Sequence, residues 1–150
     1  MDQLLRKGLI IMFTGFFILT GISSCKDDYE STVPYVPVNF TLNPTNIIEL
    51  NIPGGAYYLS REGNAGIIVF RDLIDNSNPF LAYDAMCTYE LSPSARVTPI
   101  DESSGLAKCS ECGSEYILFG GNGSPTKGPA IEPLKQYRTS YTGSLINIRN

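Results

Sequence analysis

Cys87, Cys109 and Cys112 are the residues in this chain best suited to chemistry. The last two form a Cys-Ser-Glu-Cys step that runs on as Gly113-Ser114-Glu115-Tyr116, and the first opens Cys87-Thr88-Tyr89 about twenty residues upstream. Three thiolates brought together can hold a soft metal centre. The chain has no histidine, so imidazole is available neither as a ligand nor as a general base. No Gly-x-Ser-x-Gly elbow is present, and Asp27-Asp28 and Asp101-Glu102 are adjacent carboxylates that point apart or into solvent. Catalysis is therefore not expected, and the three sulfurs become the question: metal site or disulfide.

The elements that must position them are β in pattern. Short runs rich in aromatic and branched residues recur at 57–60, 66–71, 79–83, 96–100, 116–119, 136–141 and 145–148. Turn chemistry bounds them at Pro53-Gly54-Gly55, Gly63-Asn64 and Asp75-Asn76-Ser77-Asn78. Thr142-Gly143-Ser144 joins the last two as a closing hairpin. Residues 46–51 read equally as strand or helical turn. No apolar stripe of period 3.6 is sustained, which predicts an all-β domain of many short antiparallel strands with two cysteine loops.

The 150 residues suffice for one domain, and nine Tyr and seven Phe argue against disorder. A formal charge of −4, with no basic stretch, disfavours nucleic acid as a partner. The segment from Gly120 to Gly128 lacks the Gly-Lys-Ser/Thr order of a phosphate loop and reads as a long turn. Asn122-Gly123-Ser124 matches a eukaryotic glycosylation sequon.

The first residues read as an address. Arg6 and Lys7 precede an apolar run at 8–21, too short to span a bilayer comfortably, as in a secretory signal peptide. Ile22-Ser23-Ser24-Cys25 resembles the lipobox of bacterial lipoproteins. That resemblance implies cleavage before Cys25, lipidation of its thiol and membrane anchoring; an uncleaved single-pass anchor is the other reading. Multiple acylation would hold firmly where one chain would not. Lys26-Asp27-Asp28-Tyr29-Glu30 resembles the surface-export signal of some Gram-negative lipoproteins, or is a solvated tether. Residues 31–37, with two prolines, read as an extended spacer. The expected organisation is a signal peptide at 1–24, a lipidated tether at 25–37 and a β domain at 38–150. The expected location is the envelope, on the outer membrane and facing periplasm or surface, where thiols tend to oxidise.

Taken together, the second half resembles the Rieske iron–sulfur family. Its first loop has the form Cys-x-His and its second Cys-Pro-x-His-Gly-Ser-x-Tyr/Phe, followed by a Gly-rich turn and a Gly-Pro-Ala segment. Cys87 and Cys109 fall on the cysteine positions, and Tyr89 and Cys112 on the histidine positions. Gly113, Ser114 and Tyr116 match residues that support the cluster; Gly128-Pro129-Ala130 and Leu134 match the segment that lies over it. The resemblance implies a small Rieske-like β-sandwich and a [2Fe–2S] cofactor. Such a cluster carries two Cys on one iron and two His on the other. Here Cys112 would replace one His and Tyr89 the other, giving a centre of lower potential without histidine-coupled protons. The implied role is electron transfer or redox sensing with a protein partner.

The same convergence of loops opens a cluster-free reading. Cys87 could pair with Cys109, or with Cys112, as a disulfide. Closing a loop of about twenty residues would stabilise a small β domain by roughly 3 kcal/mol in the chain-entropy model. The protein would then be a structural or interaction module of the envelope. A Cys109–Cys112 redox pair and a three-cysteine zinc site with a fourth ligand are further chemical options.

Overall fold

The computed structural model describes residues 31–101 and 104–150. The signal-peptide and lipobox readings, including Cys25, lie outside the described residues. The domain is all-β. Its strands are β1 (Asn39–Leu42), β2 (Ala56–Leu59), β3 (Ile67–Arg71), β4 (Phe80–Asp84), β5 (Val97–Pro99), β6 (Leu106–Cys109), β7 (Glu115–Ile117), β8 (Pro125–Lys127), β9 (Gln136–Tyr141) and β10 (Ile146–Arg149). They form a six-stranded sheet in the order β1-β10-β9-β4-β3-β2 and a four-stranded sheet in the order β5-β6-β7-β8. Every strand pairing is antiparallel.

β3 reads Ile-Ile-Val-Phe without a polar break because both of its faces are buried. Side chains alternate across a strand, so one run feeds two cores. Ile68 and Phe70 point toward the four-stranded sheet and join Tyr83, Cys87, Cys109, Tyr116, Leu118 and Leu134. Ile67 and Val69 point the other way and join Leu50, Phe80, Ala82, Tyr137, Ile146 and Ile148. Cys87 and Cys109 therefore sit in the inter-sheet core, with Cys112 packed against it. The undecided segment at 46–51 falls on two 3-10 turns, Pro44–Asn46 and Ile48–Asn51, joined by the extended Ile47, and the first is capped by the Asn43 side chain. Leu50 is the side chain it delivers to the core.

Asp84, at the end of β4, is fully buried and gathers four donors. Its Oδ2 accepts from the Tyr137 hydroxyl at 2.6 Å and from the backbone and side-chain N–H groups of Asn64, both at 2.9 Å. Its Oδ1 accepts from the Met86 N–H at 2.9 Å. β9, the 63–66 turn and the chain entering the first cysteine loop are thus tied to one carboxylate. Burial and the neighbouring Asp84 both push the Tyr137 hydroxyl pKa upward, so Tyr137 stays a donor.

Residues 31–37 lie against the domain. Val33 is buried with Ala65 and Met86. The Pro34 carbonyl accepts from Asn64 Nδ2 at 3.0 Å and from Lys135 Nζ at 2.8 Å. The Thr32 hydroxyl donates to Glu132 Oε2 at 2.7 Å. The stretch has no regular secondary structure, as its prolines require, but it is packed beside the first cysteine loop.

Candidate metal and thiol centre

The first loop leaves β4 and crosses directly to the small sheet. Val97 N–H donates to the Ala85 carbonyl at 2.7 Å and Cys87 N–H to Ala95 at 3.1 Å. Cys87 begins a turn closed by Leu91 N–H donating to the Cys87 carbonyl at 3.0 Å. The second loop is the connection from β6 to β7. Cys109 ends β6, and its N–H donates to the Ser114 carbonyl at 2.9 Å, which folds Cys112 back over Cys109. Gly113 completes this reversal at φ 72°, a left-handed conformation that costs a side chain about 1–2 kcal/mol.

Two loops distant in sequence thus bring three sulfurs together. The Sγ atoms of Cys87, Cys109 and Cys112 all lie within 4.8 Å of one another. Cys87 and Cys112 touch at 3.6 Å, and all three are free cysteines. Cys87 and Cys109 are buried; Cys112 is partly open to solvent.

Hydroxyls flank the sulfurs. Ser114 Oγ lies 3.1 Å from Cys112 Sγ and accepts from the Ala130 N–H at 3.1 Å. Its one hydrogen is thereby left for the sulfur. Tyr116, fully buried on β7, places its hydroxyl 3.5 Å from Cys87 Sγ and 3.1 Å from Thr88 Oγ1. The Thr88 hydroxyl donates to the Glu132 carbonyl at 2.8 Å, so the Tyr116 hydrogen serves Thr88 or Cys87. Burial raises the Tyr116 pKa and keeps its hydroxyl protonated.

The thiols are not equivalent. Burial pushes Cys109 up to about 11, partly offset by the N–H groups of Cys112 and Glu111. At Cys112 burial also acts upward, but the Ser114 hydroxyl and N–H, with contacts to Cys87 and Cys109, outweigh it and lower the pKa. Cys112 therefore becomes thiolate more readily than Cys109.

The 128–130 segment covers the second loop, with Ala130 buried in the shared core. Gly128 has φ 90°, and a Cβ there would lie 2.6 Å from Ser114 Cα and 2.7 Å from Ser114 Oγ. Pro129 follows it and precedes the Ala130 N–H that holds Ser114. Replacing Gly128 by alanine is expected to cost at least about 1–2 kcal/mol in backbone strain alone. It should also displace Ser114 from Cys112. Urea denaturation measures the first effect, and the alkylation rate of Cys112 the second; an unchanged rate would show that the overlying segment does not position Ser114.

Tyr89 stands two residues past Cys87 on the first turn, and its side chain is 56 % exposed. Thr88 and Asp84 are the site-positioning residues that sequence reasoning missed. A threonine after a cysteine carries no motif signal. Asp84, at the end of an apolar strand, carries only the weak signal of a carboxylate in a buried run.

No protein-family model matches the chain, and no curated protein matches it in sequence. Solved structures do match. One is the ferredoxin of carbazole 1,9a-dioxygenase from Nocardioides aromaticivorans IC177, with 17% identity over 77% of this chain and 98% of that one, and a TM-score of 0.50. Another is the Sphingomonas yanoikuyae B1 ferredoxin, with 14% identity over 75% of this chain and 99% of that one, also at TM-score 0.50. At these identities the likeness is one of fold, and the fold is Rieske-like.

The group that this fold implies has two cysteine and two histidine ligands. The chain has no histidine, so its residues do not fit that ligand set. What they offer is three thiols with hydroxyl neighbours, a donor set for a soft metal.

Proposed function

We propose that this chain is a lipid-anchored protein of the bacterial envelope, carried on the outer membrane through Cys25. Its Rieske-like domain holds a soft-metal centre at Cys87, Cys109 and Cys112 and serves as a redox module for an envelope protein partner. The observation that carries this reading is the convergence of three sulfurs, from two loops, within 4.8 Å. Thiolate ligands and hydroxyl donors together are what tunes such a centre.

The rim supports a protein partner. Tyr89 and Leu91 lie exposed on the Cys87 turn, and Ile131 on the loop that Thr88 binds through the Glu132 carbonyl. The anchor fits the same picture. Six residue steps separate Cys25 from Ser31, a reach of about 20 Å for an extended chain. Because 32–34 pack beside Met86 and Glu132, an anchor at Cys25 would hold the centre near the membrane surface.

The test is a visible spectrum, with iron, zinc and thiol counts, on the full chain prepared anaerobically with iron supplied. Metal bound at the triad is expected, with visible absorbance when the ion is iron. Metal-free, colourless protein would sink the reading. For the anchor, Cys25→Ser is expected to move the protein from the membrane fraction to the soluble fraction of lysed cells. Retention in the membrane would favour an uncleaved apolar anchor.

A second reading rests on the 3.6 Å contact between Cys87 and Cys112. Exchange with a partner's disulfide would join these two sulfurs; the pair loses two electrons and two protons, and the partner's disulfide becomes two thiols. The product is a stapled interaction module with Cys109 left free.

A further inference from the structure

The spacing of the sulfurs bears on what kind of centre they can hold. A metal–thiolate bond of about 2.3 Å and a tetrahedral angle put two ligands of one ion about 3.8 Å apart. Cys87 and Cys112 stand at 3.6 Å, and the third sulfur lies within 4.8 Å of both. In a sulfide-bridged pair of irons, ligands on different irons sit at opposite ends of the cluster and stand farther apart. The Rieske pattern would assign Cys87 to the inner iron and Cys112 to the outer one. Their contact does not fit that assignment.

We infer that the triad is a seat for one thiophilic metal ion held by three thiolates, rather than for a two-iron cluster. The inference rests on the soft-metal reading above and names the nuclearity of its centre. The hydroxyls agree with it. Ser114 has its only hydrogen free for Cys112, and Tyr116 lies over Cys87, so two of the three thiolates have a neighbour able to stabilise negative charge. Cys109 closes the buried side. Cys112, being partly open to solvent, leaves room for water as a fourth ligand. Copper(I) and zinc are the common ions for which such sulfur sets are selective, and iron is the redox alternative.

The experiment uses the full chain in detergent, reduced, stripped of metal and kept anaerobic. Zn²⁺, Cu(I) and Co²⁺ are titrated separately, and a further sample is incubated with Fe²⁺ and sulfide. Metal stoichiometry is measured, and thiols are alkylated and mapped residue by residue. One ion per chain, with Cys87, Cys109 and Cys112 protected together, is the expected result. Co²⁺ should show the intense visible bands of a tetrahedral thiolate site. Ser114→Ala should weaken affinity by about 10–100-fold, with the same three thiols still protected at saturation. Tyr116→Phe, which keeps the ring in the core, tests the second hydroxyl should the Ser114 variant fold poorly.

Two irons and two sulfides per chain would overturn the inference while leaving the soft-metal reading intact. One zinc, with no uptake of copper or iron, would support the single-ion seat and end the redox role. Free alkylation of all three thiols in the presence of every metal would overturn both.

Discussion

Replacing Cys87 by serine is expected to remove the bound metal. Cys87 is the sulfur that Cys112 contacts at 3.6 Å and the one beneath the Tyr116 hydroxyl. Losing one of three thiolates should cost more than the about 10–100-fold attached to an outer partner of a ligand, so metal content should fall to background at micromolar supply. Serine is nearly isosteric with cysteine, and its hydroxyl can still meet Tyr116, so the fold should survive. A thermal midpoint close to that of the metal-free parent, with metal lost, isolates the ligand role. Wild-type metal content in the Cys87→Ser protein would place any metal outside the triad. A variant less stable than the parent in oxidising conditions, but equal to it in reducing ones, would instead indicate that the parent carries a Cys87 disulfide.

The second large effect lies one turn away. Asp84→Ala is expected to destabilise the domain by about 2–6 kcal/mol, because it strips the acceptor from two buried donors, the Tyr137 O–H and the Met86 N–H, at about 1–3 kcal/mol for each one left unpaired. Four donors converge on this carboxylate, from Tyr137, twice from Asn64, and from Met86. Against a total stability of about 5–15 kcal/mol, that is enough to shift the urea midpoint by a large fraction of its value. Asparagine recovers only part, since its amide end would face donors. Because Met86 precedes Cys87, the triad should also loosen, and thiol alkylation in native buffer should accelerate. A loss under about 1 kcal/mol would show that water replaces the carboxylate and that the network is not what holds the first loop.

The run at 66–71, observed as Ile67–Arg71, was legible because burial on both faces leaves a plain mark. The run at 136–141, observed as Gln136–Tyr141, was legible from its aromatic residues, although Tyr137 is its one buried side chain. β1, Asn-Phe-Thr-Leu, was not singled out as a run of its own, and two further strands escaped notice because their residues do not look like strand. β6 is Leu-Ala-Lys-Cys and β8 is Pro-Thr-Lys; both are made by pairing rather than by propensity. β8 lies inside the Gly-rich stretch that reads as a long turn, and it is the edge strand that Glu115 and Tyr116 recruit across a bulge. Residues 31–37 read as a spacer because proline forbids regular structure there; the sequence carries no sign that Val33 has a pocket beside Met86.

The order of the two cysteine loops, the absence of histidine and the Gly-Ser-x-Tyr flank are one-dimensional facts, and they sufficed to indicate a Rieske-like fold and three sulfurs as its chemistry. They did so because loop spacing and turn residues are local, and local chemistry survives in the order of the letters. Which sulfurs touch, which one is open, and which hydroxyl has a hydrogen to spare were decided by the tertiary structure. Cys87 and Cys112 are 25 residues apart in the chain and 3.6 Å apart in space, a distance set by the crossing from β4 to β5 and the reversal at Gly113. A contact made by two loops on different sheets depends on how the sheets pack, and no single stretch of sequence carries that.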